Sequence, residues 1–162
     1  MDRDRGPGKQ PDEDWLYFQV SFFHGFVEYD LVNDRVTRVA NLPDKHPETP
    51  REQYLLDSAH HGLAMNAAGT KLCAAGTMSD YAAIVDRVSF EYRLIQREDG
   101  AKPYWSTNSE DGKLCFVSWS GLDQISAISY KTATEVARVD VGDHPQRMRT
   151  GVVPHAWPGT SG

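Results

Sequence analysis

The chain repeats itself, and that repeat restricts the folds open to it more than any other feature. His61–Cys73, HGLAMNAAGTKLC, can be laid over Pro103–Cys115, PYWSTNSEDGKLC. Asn66 then falls on Asn108, Lys71 on Lys113, Leu72 on Leu114 and Cys73 on Cys115, all at a spacing of 42. AAIVDRVSFEYRLI (82–95) lies over SAISYKTATEVARV (126–139) after a two-residue adjustment in a loop, and Gly100–Pro103 falls on Gly142–Pro145. FVEYDLVNDRVTRV (26–39) matches 126–139 at an offset of 100, and RMRTGVV (147–153) begins one further copy. A fixed period in this range marks a repeat architecture in which each unit buries its faces against its neighbours.

The texture inside each unit is that of strands. Short runs rich in aromatic and β-branched residues, such as WLYFQVSFF (15–23), KLCFVSWS (113–120) and EVARVDV (135–141), are separated by Gly, Asn, Asp and Ser. These have strand length and strand propensity. Only Pro50–Ser58 offers a helical turn or two. The middle unit divides into strands over Gly62–Met65, Lys71–Gly76, Ala82–Val88 and Tyr92–Gln96. Four antiparallel strands in about 40–50 residues is the repeat of a propeller blade, whereas a sandwich demands no constant step. The expected fold is all-β, a partial β-propeller of four-stranded antiparallel blades. The expected divisions are a disordered leader (1–14), a partial blade (15–42), an insertion (43–60), blades over 61–102 and 103–146, a closing strand (147–153) and a tail (154–162).

The units resemble the YVTN family of β-propeller repeats, which includes the YncE-like proteins. The resemblance rests on NAAGTKLC (66–73) and NSEDGKLC (108–115), on Tyr29-Asp30 and Val85-Asp86 in the third strand, and on the exit Val141-Gly142-Asp143-His144-Pro145. It covers about Trp15–Val153. It departs from the pattern at Tyr130, where the aspartate would sit, and at the inserted Pro43–Asp57. The resemblance implies a propeller fold but no single function, because a fold hosts many chemistries.

At a spacing of 42, Cys73 and Cys115 occupy equivalent positions on neighbouring blades, with parallel side chains. Packed sheets lie about 10 Å apart, and a disulfide needs Cα atoms within about 7 Å and converging side chains. The expectation is two small buried hydrophobes and no bridge. Phe22-Phe23 is read as part of the first strand, with one ring turned outward.

Charge excludes one class of partner. Seventeen Lys and Arg against 23 Asp and Glu leave −6, the wrong sign for nucleic acid or an anionic membrane. No apolar run is long enough for a membrane span. The first 14 residues carry no apolar stretch of a signal peptide, so the chain as written reads as cytoplasmic, or as exported if a leader lies upstream.

In a propeller the loops between second and third strands share one face with the connections between blades. That face collects His24, His60, His61 and His144, with Asp80, Asp123 and Asp143 beside them. His24, His61 and His144 are candidate ligands of a divalent metal, histidine being the commonest transition-metal ligand. No H-x-H, H-E-x-x-H or C-x-x-C pair fixes a first shell. His24, Tyr81, Trp119 and Asp143 are candidate contacts for a protein or small-molecule ligand. No G-x-S-x-G, P-loop or dinucleotide fingerprint occurs. Two function classes follow. The first is a non-enzymatic module binding on its loop-rich face; the second is part of a propeller enzyme, oxidoreductase or lactonase in type, with a metal or quinone at the mouth. Three and a quarter blades do not close a ring of four to eight. The chain therefore reads as a portion of a longer propeller, or as one that self-associates through open blades.

Overall fold

A computed structural model describes residues 14–151, in eleven strands and three antiparallel sheets. Blade 1 holds β1 (Trp15–Phe18), β2 (Gly25–Asp30) and β3 (Arg35–Asn41). Blade 2 holds β4 (Gly62–Met65), β5 (Lys71–Gly76), β6 (Tyr81–Asp86) and β7 (Tyr92–Gln96). Blade 3 holds β8 (Pro103–Asn108), β9 (Leu114–Trp119), β10 (Gln124–Ser129) and β11 (Thr134–Asp140). The strands of each blade pair in sequence order, as successive hairpins do. The architecture is a partial propeller. The expected leader and tail lie outside the described residues, apart from Asp14.

The tight turns show where the true repeat lies. Asn66 Oδ1 accepts the N–H groups of Thr70 (2.8 Å) and Lys71 (2.9 Å), while the Gly69 N–H bonds to the Asn66 carbonyl. One blade later Ser109 Oγ accepts the N–H of Leu114 (3.0 Å), and the Gly112 N–H bonds to the Ser109 carbonyl. Gly69 and Gly112 both have positive φ, which glycine adopts without the steric cost of a Cβ. In space, then, Gly69 matches Gly112 at a spacing of 43, not the 42 that superposes Lys-Leu-Cys. Asp86 closes the next turn by accepting the N–H groups of Val88 and Ser89. Ser129 holds the same place in blade 3, accepting from Thr132, so Ser129 rather than Tyr130 stands at the aspartate position.

This one-residue difference overturns the cysteine expectation. A slip of one residue in a strand moves every side chain to the opposite face. Cys73 pairs across its sheet with Ile84 on the face turned toward blade 3, whereas Cys115 pairs with Ile128 on the face turned back toward blade 2. The two thiols converge and form a disulfide, with Cα atoms 6.5 Å apart. Around it Ile84, Val117, Trp119 and Ile128 form the core of the seam.

The seam between blades 1 and 2 packs Phe26, Ala40 and Leu42 against Leu72, Tyr81, Ala83 and Val85. It is braced by a buried carboxylate. Glu28 receives Arg38, Tyr17 Oη (2.6 Å) and Thr37 Oγ1 (2.8 Å). Burial opposes its ionisation, but these donors outweigh burial and hold its pKa at about 2. Arg38 continues across the seam to the carbonyls of Arg87 (2.8 Å) and Val88 (2.6 Å).

One further expectation holds and another is corrected. Pro50–Ser58 makes two 3-10 turns, Arg51–Gln53 and Leu55–Asp57, separated by an extended Tyr54. The first strand stops at Phe18; Phe22 and Phe23 follow in a turn, with Phe22 at positive φ and its ring against Tyr54. Residues 147–151 lie in no strand, and the rest of the expected closing strand is outside the described residues. No helix among the described residues is long and apolar enough to cross a membrane.

Candidate active site

The inserted segment after blade 1 folds back over the loop-rich face and meets the β5–β6 loop of blade 2. Leu42 N–H bonds to the His24 carbonyl (2.9 Å), Lys45 N–H to Ser79 Oγ (3.1 Å), and Arg97 N–H to the Asp80 carbonyl (2.9 Å). These bonds place His24, the insertion and residues 77–80 on one rim.

His24 is the partly exposed member. Its Nδ1 lies 3.3 Å from Ser79 Oγ, and its Nε2 lies 3.0 Å from Tyr54 Oη and 3.5 Å from Asp44 Oδ2. Burial lowers the His24 pKa, and the Asp44 carboxylate works against that fall. Ser79 is fully buried and accepts the Lys45 amide, so it supports the imidazole and is not placed to attack a substrate. Beneath His24, His60 packs edge-on at 5.7 Å between ring centroids and is 1% exposed.

The protonation of His60 follows from its neighbours. Tyr81 Oη has one proton and gives it to the Pro43 carbonyl (2.9 Å), so at 3.2 Å it accepts from His60 Nε2–H. His60 Nδ1 is then an unprotonated nitrogen, buried and without a partner. Burial first, and then His24 and His61, push the His60 pKa down to about 3. His61 follows the same logic on the other seam. Thr77 Oγ1 donates to the Pro103 carbonyl (2.6 Å) and accepts from His61 Nδ1–H (3.1 Å), which leaves His61 Nε2 buried and unpartnered. The His61 ring stacks on Tyr104 at 4.4 Å, and burial lowers its pKa.

A second group adjoins the first through Asp44, whose other oxygen accepts the His46 amide (3.0 Å). His46 Nε2, Asp80 and Asp99 bring one ligand atom each within 4.8 Å of one another. Asp80 is held from behind by the N–H groups of Gly100 (3.1 Å) and Lys102 (2.9 Å). One imidazole and two carboxylates form a donor set suited to a divalent cation with open coordination positions. A planar quinone does not fit the His24 seam, which is filled by the edge-packed rings of Tyr54, His60 and Tyr81.

The sequence candidates are thus dispersed. His24 lies on the first seam, His61 on the second, and His144 on the exposed rim of blade 3, with Asp123 and Asp143. Asp143 raises the His144 pKa. Tyr81 is buried beneath His60, and Trp119 is buried in the second seam, where its indole N–H donates to Ser126 Oγ (2.7 Å). Asp44, Tyr54 and Ser79 were not identifiable in advance. Two of them lie in the insertion, which has no counterpart in the repeat.

No family model and no curated protein matches the sequence. Among solved structures the chain is similar to Kuenenia stuttgartiensis hydrazine synthase, at TM-score 0.66 and 20% identity, over 82% of this chain and 34% of that one. It is similar to a catalytically inactive histidine-to-alanine variant of Staphylococcus aureus virginiamycin B lyase with quinupristin, at TM-score 0.60 and 12% identity, over 80% and 39%. It is also similar to the periplasmic gluconolactonase of Pseudomonas aeruginosa, at TM-score 0.60 and 16% identity, over 87% and 40%. The chain spans about a third to two-fifths of the length of these proteins. They are propeller enzymes, and likeness at this identity establishes the fold.

Proposed function

We propose that the chain is part of a propeller enzyme of the lactonase type, working at the rim over the first seam. The observation that carries this reading is His24: a partly exposed imidazole of lowered pKa, held between Ser79 and the pair Asp44 and Tyr54, over the neutral His60. A neutral imidazole at pH 7 is a competent general base, and its conjugate acid a competent donor. In a lactone opening it takes the proton of the attacking water and returns one to the alkoxide released as the ring C–O bond breaks. Ser79 Oγ, accepting from Nδ1–H, holds the ring so that Nε2 is the basic nitrogen, and Asp44 beside Nε2 stabilises the imidazolium that forms. His46, Asp80 and Asp99 would hold a divalent cation, which polarises a carbonyl when bound. Support comes from this geometry and from the enzymatic character of the structural neighbours. As a ligand-binding surface the same face offers less, since Tyr81 and Trp119 are both buried.

The disulfide supports a further part of this reading. Structural disulfides persist in oxidising compartments, and we infer that the chain works in one, exported from the cytoplasm.

Titration calorimetry with Mn2+ and Ca2+, with glucono-1,5-lactone opening followed in a pH-stat, tests the proposal. Stoichiometric cation binding lost in His46→Ala, and lactone opening lost in His24→Ala with cation binding kept, are the expected results. Absence of cation binding together with buffer-level lactone opening would overturn it.

A further inference from the structure

Among the described residues, blades 1 and 3 each have one face that no other blade covers, and the two faces are of opposite kinds. In each seam, the face a blade turns forward meets the face the next blade turns back. Blade 2 turns back Leu72, Ala74 and Val85, all at most 1% exposed against blade 1. The register places Leu16 opposite Tyr29 as Leu72 is opposite Val85, so blade 1 presents the same positions with no other blade against them among the described residues. Its back face carries Leu16, Phe18, Val27, Tyr29, Val36 and Val39. Leu16, Val36 and Val39 are 46%, 53% and 47% exposed. Blade 3 turns forward Phe116, Ile125, Ala127 and Val139, on the face away from Cys115.

A missing strand and a spare segment complement each other in the same way. Blade 1 has three strands, and β1 corresponds to β5 and β9, which are flanked on the inner side by β4 and β8. Among the described residues no strand pairs with the inner edge of β1. Pro103, which opens β8, accepts Thr77 Oγ1 from the blade before it (2.6 Å). One period of 43 later, the Gln146 carbonyl accepts Ser118 Oγ from blade 3 (2.7 Å). Arg147 and Arg149 lie over Trp105 at 5.2 and 5.3 Å. Residues 146–151 thus leave blade 3 where the inner strand of a following blade begins, yet they pair with no strand.

We propose that two copies of this chain close on each other head to tail. The forward face of blade 3 in each copy packs on the back face of blade 1 in the other, and residues 146–151 add to the free edge of β1 as its fourth strand. Both joints repeat the internal seams, and the two copies give six complete blades in a closed ring, inside the four-to-eight range of propellers. Adding a strand to an open edge satisfies main-chain groups that otherwise face water. The three described blades do not close a ring by themselves.

Light scattering on the full chain over a range of concentrations tests this. The expected particle has twice the mass of one 18.2 kDa chain. Leu16→Glu, at an exposed site that leaves the monomer core untouched, is expected to weaken association at least about tenfold. A chain ending at Gln146 is expected to lose association while keeping its Cys73–Cys115 bridge. A monomer at every concentration, as when the faces await blades of another polypeptide, overturns the proposal. So does a dimer indifferent to both variants, and so does an open series of polymers.

Discussion

At the scale of single residues, buried groups convert position into pH dependence. His60 is neutral in the folded chain down to a pH of about 3, whereas in the unfolded chain it takes up a proton near its ordinary value of about 6.5. Between those two values the unfolded state holds more protons, so stability rises with pH across this window and is complete above it. His24 and His61, both lowered by burial, act in the same direction. The melting temperature is therefore expected to fall between pH 7 and pH 5, and to fall less in His60→Gln; equal slopes would disprove the assignment. Arg38 makes a separate point. It is the charged partner of a carboxylate that is almost fully enclosed, and its removal leaves Glu28 facing the seam with only hydroxyl donors. Arg38→Met is expected to cost more than about 2 kcal/mol in denaturant unfolding, because an unsatisfied buried charge is dearer than a lost surface pair. A cost within about 0.5 kcal/mol would mean that water reaches Glu28.

At the scale of the strand and its turn, one residue decides whether two blades are joined covalently. The bridge closes a 42-residue loop, worth about 4 kcal/mol in the chain-entropy account. Both cysteines are buried. Purified chain is expected to resist alkylation by iodoacetamide until it is denatured and reduced, and Cys115→Ala is expected to lower stability by about 2–4 kcal/mol. Two free thiols in the denatured, unreduced chain would refute the bridge. The strands themselves were legible beforehand: β4, β5 and β7 run over the residues that alternation and turn punctuation mark out, and β6 is shifted by a residue or two. The pairing of the cysteines was not. Identity of letters aligned Lys-Leu-Cys with Lys-Leu-Cys, while the backbone aligns Gly69 with Gly112, because a positive φ fixes a turn more firmly than three side chains fix a strand. Much of the site was hidden for a related reason. Periodicity sorts loops onto a face, and it grouped His24, His60 and Asp80 on one rim, as the structure does. Asp44 and Tyr54 reach His24 from an insertion that repeats nothing, so no spacing announced them.

At the scale of the whole molecule, stability should be graded along the stack. In a repeat array each unit is held by its own contacts and by its neighbours, so a unit covered on both faces opens last. Blade 2 is covered on both, by Phe26 and Leu42 on one side and by Trp119 and Ile128 on the other. Blade 3 is covered on one face and stapled by the disulfide. Among the described residues, blade 1 is covered on one face and has three strands, and no disulfide ties it to its neighbour. Native-state amide exchange at low protein concentration is therefore expected to be slowest at Ala82–Val85, intermediate in β9 and β10, and fastest in β1 and β3. Reduction is expected to move β9 and β10 toward the blade 1 rates while leaving β1 and β3 unchanged, since the bridge touches only the second seam. Raising the concentration should then slow exchange in β1 specifically, because that edge gains hydrogen bonds when a second copy closes the ring. Uniform exchange across the three blades at low concentration would show that they open as one unit, with the seams as strong as the sheets they join.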